Sequence, residues 1–255
     1  MRLVLPSNSS FSHFPNNTIV SFTVQLPQSL DLTPGLYECG LAEIQFFKSW
    51  YNIQDCNITF KVDDVDSKIE IKDGYYASEI ELIEAINCEI LNNDSVKDLF
   101  EFGYNNANKF CHYCYTGKLD VKLEVILSNS LAKIINLQED KITTSFCNGT
   151  SYRLNYNTPM RLHSIFNLMV YTDIIESSLV GDIQSPLLRV VHVEDGHWKV
   201  QCTSYNKIQY FKINRSNIRS ISVYIYTDYG EKVPFTSGRC MITLDIRRVK
   251  PIELV

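Results

Sequence analysis

Between Leu119 and Leu127 the apolar residues fall at every second position. Leu119, Val121, Leu123, Val125 and Leu127 alternate with Asp120, Lys122, Glu124 and Ile126. Period two is the repeat of a pleated strand, because successive side chains point to opposite faces. The same spacing returns at Val20, Phe22, Val24 and Leu26, at Phe166, Leu168 and Val170, and at Cys240, Ile242, Leu244 and Ile246. It therefore spans the chain from near its first residues to near its last. Such a chain must bury sheet faces, and this requirement limits its fold more than any other feature. Its 15 Tyr and 13 Phe in 255 residues also suit half-buried pleated surfaces.

Turn residues divide the pattern. Pro27 is expected to end the first strand, and Pro34-Gly35 to turn the chain into a second, Tyr37 to Phe47. That strand would set Gly40, Ala42, Ile44 and Phe46 on one side and Leu41, Glu43 and Gln45 on the other. Later strands are read at Pro186 to Val193, Ile208 to Ile213 and Ile221 to Tyr226. Val180-Gly181-Asp182, Asp195-Gly196, Tyr229-Gly230 and Ser237-Gly238 mark turns. Many short strands with this punctuation indicate a β-sandwich.

The middle of the chain is mixed. Ile58 to Val62 and Lys68 to Ile71 read as short strands. Ser78, three residues before Glu81, is a capping-box start, and Leu82, Ile83, Ile86 and Ile90 follow at helical spacing. Asn92-Asn93-Asp94 ends that helix. A shorter helix begins after Ser128 with Leu131, Ile134 and Ile135 on one face. The expected organisation is a sandwich from 1–57 and 161–255, interrupted by a small α+β insertion over 58–160. Residues 1–17, rich in Pro, Ser and Asn, read as an extended arm ordered by a neighbouring subunit.

Charge and targeting signals narrow the function. The formal net charge is −5, split into +6 over 199–255 and −11 over 1–198. That asymmetry fits oppositely charged surfaces meeting between subunits, or one end facing a polyanion; without a concentrated basic tail, genome condensation is disfavoured. After Arg2 only Leu3-Val4-Leu5 precedes Pro6, short of the roughly 7–15 apolar residues of a secretory signal. No apolar run approaches the roughly 20 residues of a membrane span. The expectation is a protein made inside the cell. There the 8 Cys stay reduced and the six N-x-[ST] sequons are not read.

Reactive chemistry is thinly represented. Cys111-His112-Tyr113-Cys114 supplies either two zinc ligands or buried thiols on a strand; Cys147 and His163 are the residues left to complete a tetrahedral site. Asp63-Asp64-Val65-Asp66 lacks the Gly and terminal Glu of a calcium loop and reads as a solvated hairpin turn. No G-x-S-x-G elbow and no Gly-rich phosphate loop occurs. The histidines lack the spacing of a cupin metal cluster. The expectation is no enzyme and no cofactor. Trp50-Tyr51 and Trp198 are read as packing anchors within a core or between subunits. Arg247, Arg248 and Lys250 form a small basic cluster.

Several segments resemble a known family. Gly40-Leu41-Ala42-Glu43-Ile44-Gln45, running on through Trp50-Tyr51-Asn52, is similar to the GLxEI…WYN stretch of the minor capsid (penton) proteins of Polinton/Maverick-type, adintovirus-like viruses and transposons. Val170-Tyr171-Thr172-Asp173-Ile174 resembles their VYxDI strand. Val180-Gly181-Asp182, continuing to Pro186-Leu187-Leu188-Arg189, resembles their VGDxxxPLLR motif. Gly74-Tyr75-Tyr76 with Leu82-Ile83 and Ile86-Asn87, Leu127-Ser128 with Leu131-Ala132, and Val233-Pro234-Phe235 with Gly238 follow in the family's order. Asn136 stands where that family carries Gly. The Cys111–Cys114 pair and residues 93–108 have no counterpart.

The resemblance implies a single jelly-roll β-sandwich that forms a homopentamer at icosahedral fivefold vertices of a virion. It also implies contact with a double-jelly-roll major capsid protein, and raises contact with packaged DNA or an internal capsid component. Subunit-contact candidates are Trp50, Tyr51, Val180, Gly181, Asp182, Pro186, Arg247 and Arg248. The alternative from the residues is a ligand- or glycan-binding β-sandwich, resting on aromatic content alone.

Overall fold

The computed structural model describes residues 1–62, 65–115, 122–136, 141–145, 152–162, 165–194 and 196–249. Three strands open the chain: β1 (Arg2–Pro6), β2 (Ser21–Asp31) and β3 (Tyr37–Phe47). The middle holds β4 (Cys56–Val62), β5 (Val65–Ile71), α1 (Glu79–Leu91), β6 (Phe100–Asn105), β7 (Phe110–Tyr115), β8 (Lys122–Leu127), α2 (Asn129–Ile135), β9 (Lys141–Ser145) and β10 (Tyr152–Pro159). Next come β11 (Asn167–Thr172), β12 (Ser178–Val180), β13 (Ile183–Ser185) and β14 (Leu187–His192). The chain ends with β15 (Val200–Ser204), β16 (Phe211–Lys212), β17 (Asn217–Thr227) and β18 (Cys240–Arg248). It forms two compact units, Met1–Trp50 with Ile165–Val255, and Tyr51–Ser164.

The first unit is a β-sandwich. One sheet has the order β1-β18-β3-β15, with β16 also paired to β3; the other has the order β14-β11-β17-β2. The pairings nest: β1 with β18, β2 with β17, β3 with β15 and β11 with β14, all antiparallel. A long antiparallel ribbon folded over on itself gives this set of pairs, and two sheets of this order are the eight-strand build of a jelly roll. Inward residues of both sheets share one core, with Leu5, Leu41, Ile44, Phe46, Ile242 and Leu244 on one side and Phe22, Leu168, Val170, Ile221 and Val223 on the other. Each such side chain contributes roughly 1.5–3 kcal/mol when fully buried.

Two departures from simple alternation have local causes. On β3, Leu41 is fully buried together with Ile44 and Phe46, although period two would send Leu41 outward. The register against β18 shifts between Thr243↔Glu43 and Leu244↔Leu41, so Ala42 is the extra residue of a bulge and the inward set changes phase there. On β2, Pro27 does not end the strand. β2 continues to Asp31 through a register shift against β17, and it lies at the sheet edge. An edge with an irregular ladder is where a proline, lacking an N–H, is tolerated.

The opening residues are not a free arm, which corrects the expectation for 1–17. Arg2–Pro6 pairs along its length with β18, Leu5 is 1% exposed, and the terminal amine donates to Ile246 O at 2.6 Å. Asn17 then ties the following loop: its amide donates to Ser9 O and Thr23 O, and its carbonyl accepts from Thr23 N. Polar residues that look unstructured by composition here satisfy a loop's backbone groups.

The second unit has its own core. Its sheets are β5-β4-β8-β9 and β10-β7-β6. α1 begins as its capping sequence requires: Ser78 Oγ accepts from Glu81 N, while Glu81 Oε2 accepts from Ala77 N. Leu82, Ile83, Ile86 and Ile90 are its buried face. Asn87 joins helix to sheet, donating to Phe102 O at 2.7 Å and accepting from Phe102 N at 2.8 Å. α2 is capped by Ser128 and ends at Asn136, which is left-handed at φ 62°, ψ 43°. Glycine commonly fills that position and asparagine is its usual substitute, which accounts for Asn where the resembled family has Gly.

Candidate functional site

The subunit-contact candidates separate into buried, self-paired and exposed groups. Trp50 is buried. Its ring lies 6.2 Å from Phe46 and 5.2 Å, edge-on, from Phe235, with Lys48 Nζ 5.6 Å from its centroid. Lys48 in turn donates to Glu194 O at 2.7 Å. Trp50 is thus a core group of the sandwich, and its ring offers nothing to a neighbour. Tyr51 is half-buried and belongs to the second unit.

Arg247 is exposed but engaged within its own chain. It pairs with Glu38 at 3.0 Å and lies 3.6 Å over the ring of Tyr210, whose hydroxyl donates to Asp245 at 2.7 Å. In solvent such a pair is worth at most about 1 kcal/mol. Arg248 is exposed at the end of β18, opposite Tyr37. Lys250 lies outside the described residues.

Val180 ends β12, and Gly181 and Asp182 form the turn of the β12–β13 hairpin. These two strands pair only with each other, and a lone two-stranded hairpin is marginal in water. Gly181 takes φ +63° with nothing within 4 Å of an added Cβ, so the tip is open. Leu179 is 77% exposed and Ile183 57%, while Asp182 is exposed and Val180 and Pro186 are half-buried. Leu179 is the most exposed large apolar residue among those described.

A second apolar surface lies on the outer face of the β1-β18-β3-β15 sheet. Register places Val200 opposite Phe47, and Met241 opposite Gln45. With Gly238 and Arg239 these residues line a hollow of about 260 Å³. Gly238 has φ +95°, and a Cβ there would meet Phe47 Cβ at 2.8 Å, so a side chain would crowd the hollow. Trp198, 53% exposed, borders Phe47 with ring centroids 5.5 Å apart.

Trp198 also has φ 51°, a left-handed backbone that costs an ordinary residue roughly 1–2 kcal/mol. Trp198 N donates to Lys48 O at 3.0 Å and Lys48 N donates to Lys199 O at 2.9 Å, which holds the loop in that shape. The adjacent His197 titrates below its usual range, because burial and the nearby Lys48 charge disfavour its cation.

The metal reading of Cys111 and Cys114 does not survive the strand geometry. Both lie on β7, where residues three apart face opposite sides; Cys111 is buried and Cys114 only partly so. Burial pushes the Cys111 thiol up to about 12. Cys147 and His163 lie outside the described residues. So do Asp63 and Asp64, which are flanked by the Val62↔Val65 pair of the β4–β5 hairpin. Among the described residues no group of three or more His, Cys, Asp or Glu is placed to hold a metal ion. Among the described residues no helix is long and apolar enough to cross a membrane.

The architecture matches a solved structure. The crystal structure of the selenomethionine-labelled mavirus penton protein superposes with a TM-score of 0.50, covering 98% of this chain and 99% of that chain at 12% identity. This chain has a penton-like fold. No family model matches it, and neither does any curated protein. The coverage takes in residues of both units.

The exposed apolar residues beside the candidate turn Val180-Gly181-Asp182 carry no sequence signature. Leu179 and Ile183 flank a turn that had been located, but their exposure depends on the hairpin pairing with no other strand. Phe47, Val200 and Met241 meet only once β3 is paired with β15 and β18. The one sequence signal is Trp198, two residues after Gly196; it is an exposed ring and not a core packing group.

Proposed function

We propose that this chain is a structural capsid protein of the penton type, assembling as a homopentamer at the fivefold vertices of an icosahedral virion. Its neighbour there is a double-jelly-roll major capsid protein, and the chain has no catalytic role. The likeness to the mavirus penton protein over nearly all of both chains carries this reading. Two physical features support it. The sandwich keeps its first and last strands in one core, and it exposes two separate apolar surfaces, as head-to-tail ring contacts require. Kinship with Polinton, Maverick and adintovirus pentons rests on the ordered motifs from Gly40 to Gly238. The unit 51–164 is a domain inserted between β3 and β11. Packaged DNA is a weaker partner, because Arg247 is already paired with Glu38.

The exposed Trp198 ring favours a second reading, a glycan-binding surface on the virion, since aromatic faces stack on sugar rings. One experiment separates the two. The purified chain is mixed with the major capsid protein of the same virus and sized by native mass spectrometry, and in parallel it is applied to a glycan array. Five-copy rings that join major capsid assemblies support the penton reading. A chain that remains monomeric, ignores the major capsid protein and binds a glycan saturably overturns it.

A further inference from the structure

We infer that the β12–β13 hairpin of one copy docks into the Phe47–Trp198 hollow of a second copy of this chain. The inference rests on the self-assembly proposed above and names the two surfaces that meet. Both surfaces are apolar and open. The hairpin presents Leu179 on one face and Val180 with Ile183 on the other. The hollow, at about 260 Å³, exceeds the roughly 150 Å³ apolar cavity that accepts a benzene, so it has room for an aliphatic side chain.

Charge selects the pairing. Asp182, at the hairpin tip, is the single charged residue in Ser178–Ser185. The hollow is lined by Arg239, and exposed Lys199 lies between Trp198 and Val200. An acidic apolar knob thus meets a basic apolar hollow. Opposite charges at the rim steer encounter and fix register.

Chain geometry excludes docking within one copy. The hairpin immediately precedes β14, and the loop carrying Trp198 follows it. At about 3.3 Å per residue, six residues of strand separate the two places by roughly 20 Å. In the homopentamer proposed above, the knob and hollow of one copy engage different neighbours. That is a heterologous contact, which propagates from copy to copy until a ring closes.

Two double variants test the assignment, both at exposed positions: Leu179→Asp with Ile183→Asp removes the knob, and Val200→Asp with Arg239→Asp removes the hollow. Circular dichroism and thermal melting first establish that each still folds. Mass photometry and sedimentation then measure assembly. The expected result is that each variant alone self-associates roughly thirtyfold more weakly or worse, as loss of an interface hot spot does. Mixed in equal amounts, the variants regain one intact contact and form dimers that grow no further. Variants that assemble like the wild type overturn the inference and leave the homopentamer reading standing. A wild type that never self-associates removes both. Knob variants that assemble normally but no longer bind the major capsid protein overturn it by giving the hairpin a different occupant.

Discussion

Ser49 and Ser237, 188 residues apart in sequence, exchange two hydrogen bonds: Ser49 Oγ donates to Ser237 O at 2.6 Å and accepts from Ser237 N at 3.1 Å. Thr236 Oγ1 also donates to Ser49 O. Ser49 is fully buried. This link ties the end of β3, just before the chain leaves the sandwich, to the loop that enters β18. Ser49→Ala leaves the Ser237 N–H and C=O without their side-chain partner. A loss of about 0.5–1.5 kcal/mol is expected in urea denaturation followed by the fluorescence of Trp50 and Trp198, both in the sandwich. An unchanged midpoint would contradict the assignment.

The two tryptophans should behave in opposite ways. Trp50→Ala empties a packed site between Phe46 and Phe235, and truncating a core aromatic of this size costs about 3–5 kcal/mol. Trp198→Ala removes an exposed ring, so its effect on stability is expected to stay within about 0.5 kcal/mol. Denaturation monitored by circular dichroism compares them directly. A reversed order would mean that core and surface have been misassigned.

The strands that alternate cleanly were legible from sequence because burial on one face writes itself at every second residue. Cys240 to Ile246 and Phe22 to Leu26 are of this kind. β1 was not legible: five residues ending in Pro6 carry too little pattern, and they become a strand only by pairing with β18, more than 230 residues later. The bulge at Ala42 hid Leu41 for the same reason, since it exists only relative to a partner. The insertion was read as 58–160, whereas contacts bound the compact unit at 51–164; β4 begins at Cys56, where polar neighbours mask its start. Among the contact candidates, sequence located the turn at Gly181. The burial of Trp50 depended on Phe235, a partner with no local signature.

Asn136 offers a test of the second unit. Its left-handed conformation closes α2, and its amide donates to Pro159 O at 3.1 Å. Asn136→Val forces a branched side chain into that conformation and is expected to cost about 1–2 kcal/mol. Asn136→Gly, which relaxes the backbone while losing one hydrogen bond, should cost less. Hydrogen exchange of the α2 amides reads both. Equal protection in the two variants would contradict the role of the cap.

The buried thiols set an alkaline limit. Burial raises Cys39, Cys111 and Cys240 to about 12 and Cys56 to about 11, from a usual 9.0. Above 9.0 the unfolded chain releases thiol protons that the folded chain keeps, so this part of the stability is whole below 9.0 and is lost as pH rises toward 12. The urea midpoint is expected to fall more steeply over that window in the wild type than in Cys240→Ala. Parallel curves would contradict it. At neutral pH, alkylation followed by mass spectrometry should mark Cys88 and Cys202, which are exposed, well before these four.

The most direct measurement of the central proposal is negative-stain electron microscopy of the purified chain across a range of concentrations. The expected images are closed rings with fivefold symmetry that are lost in the hairpin variant Leu179→Asp with Ile183→Asp. Monomers at every concentration, or rings of another symmetry, would contradict a penton.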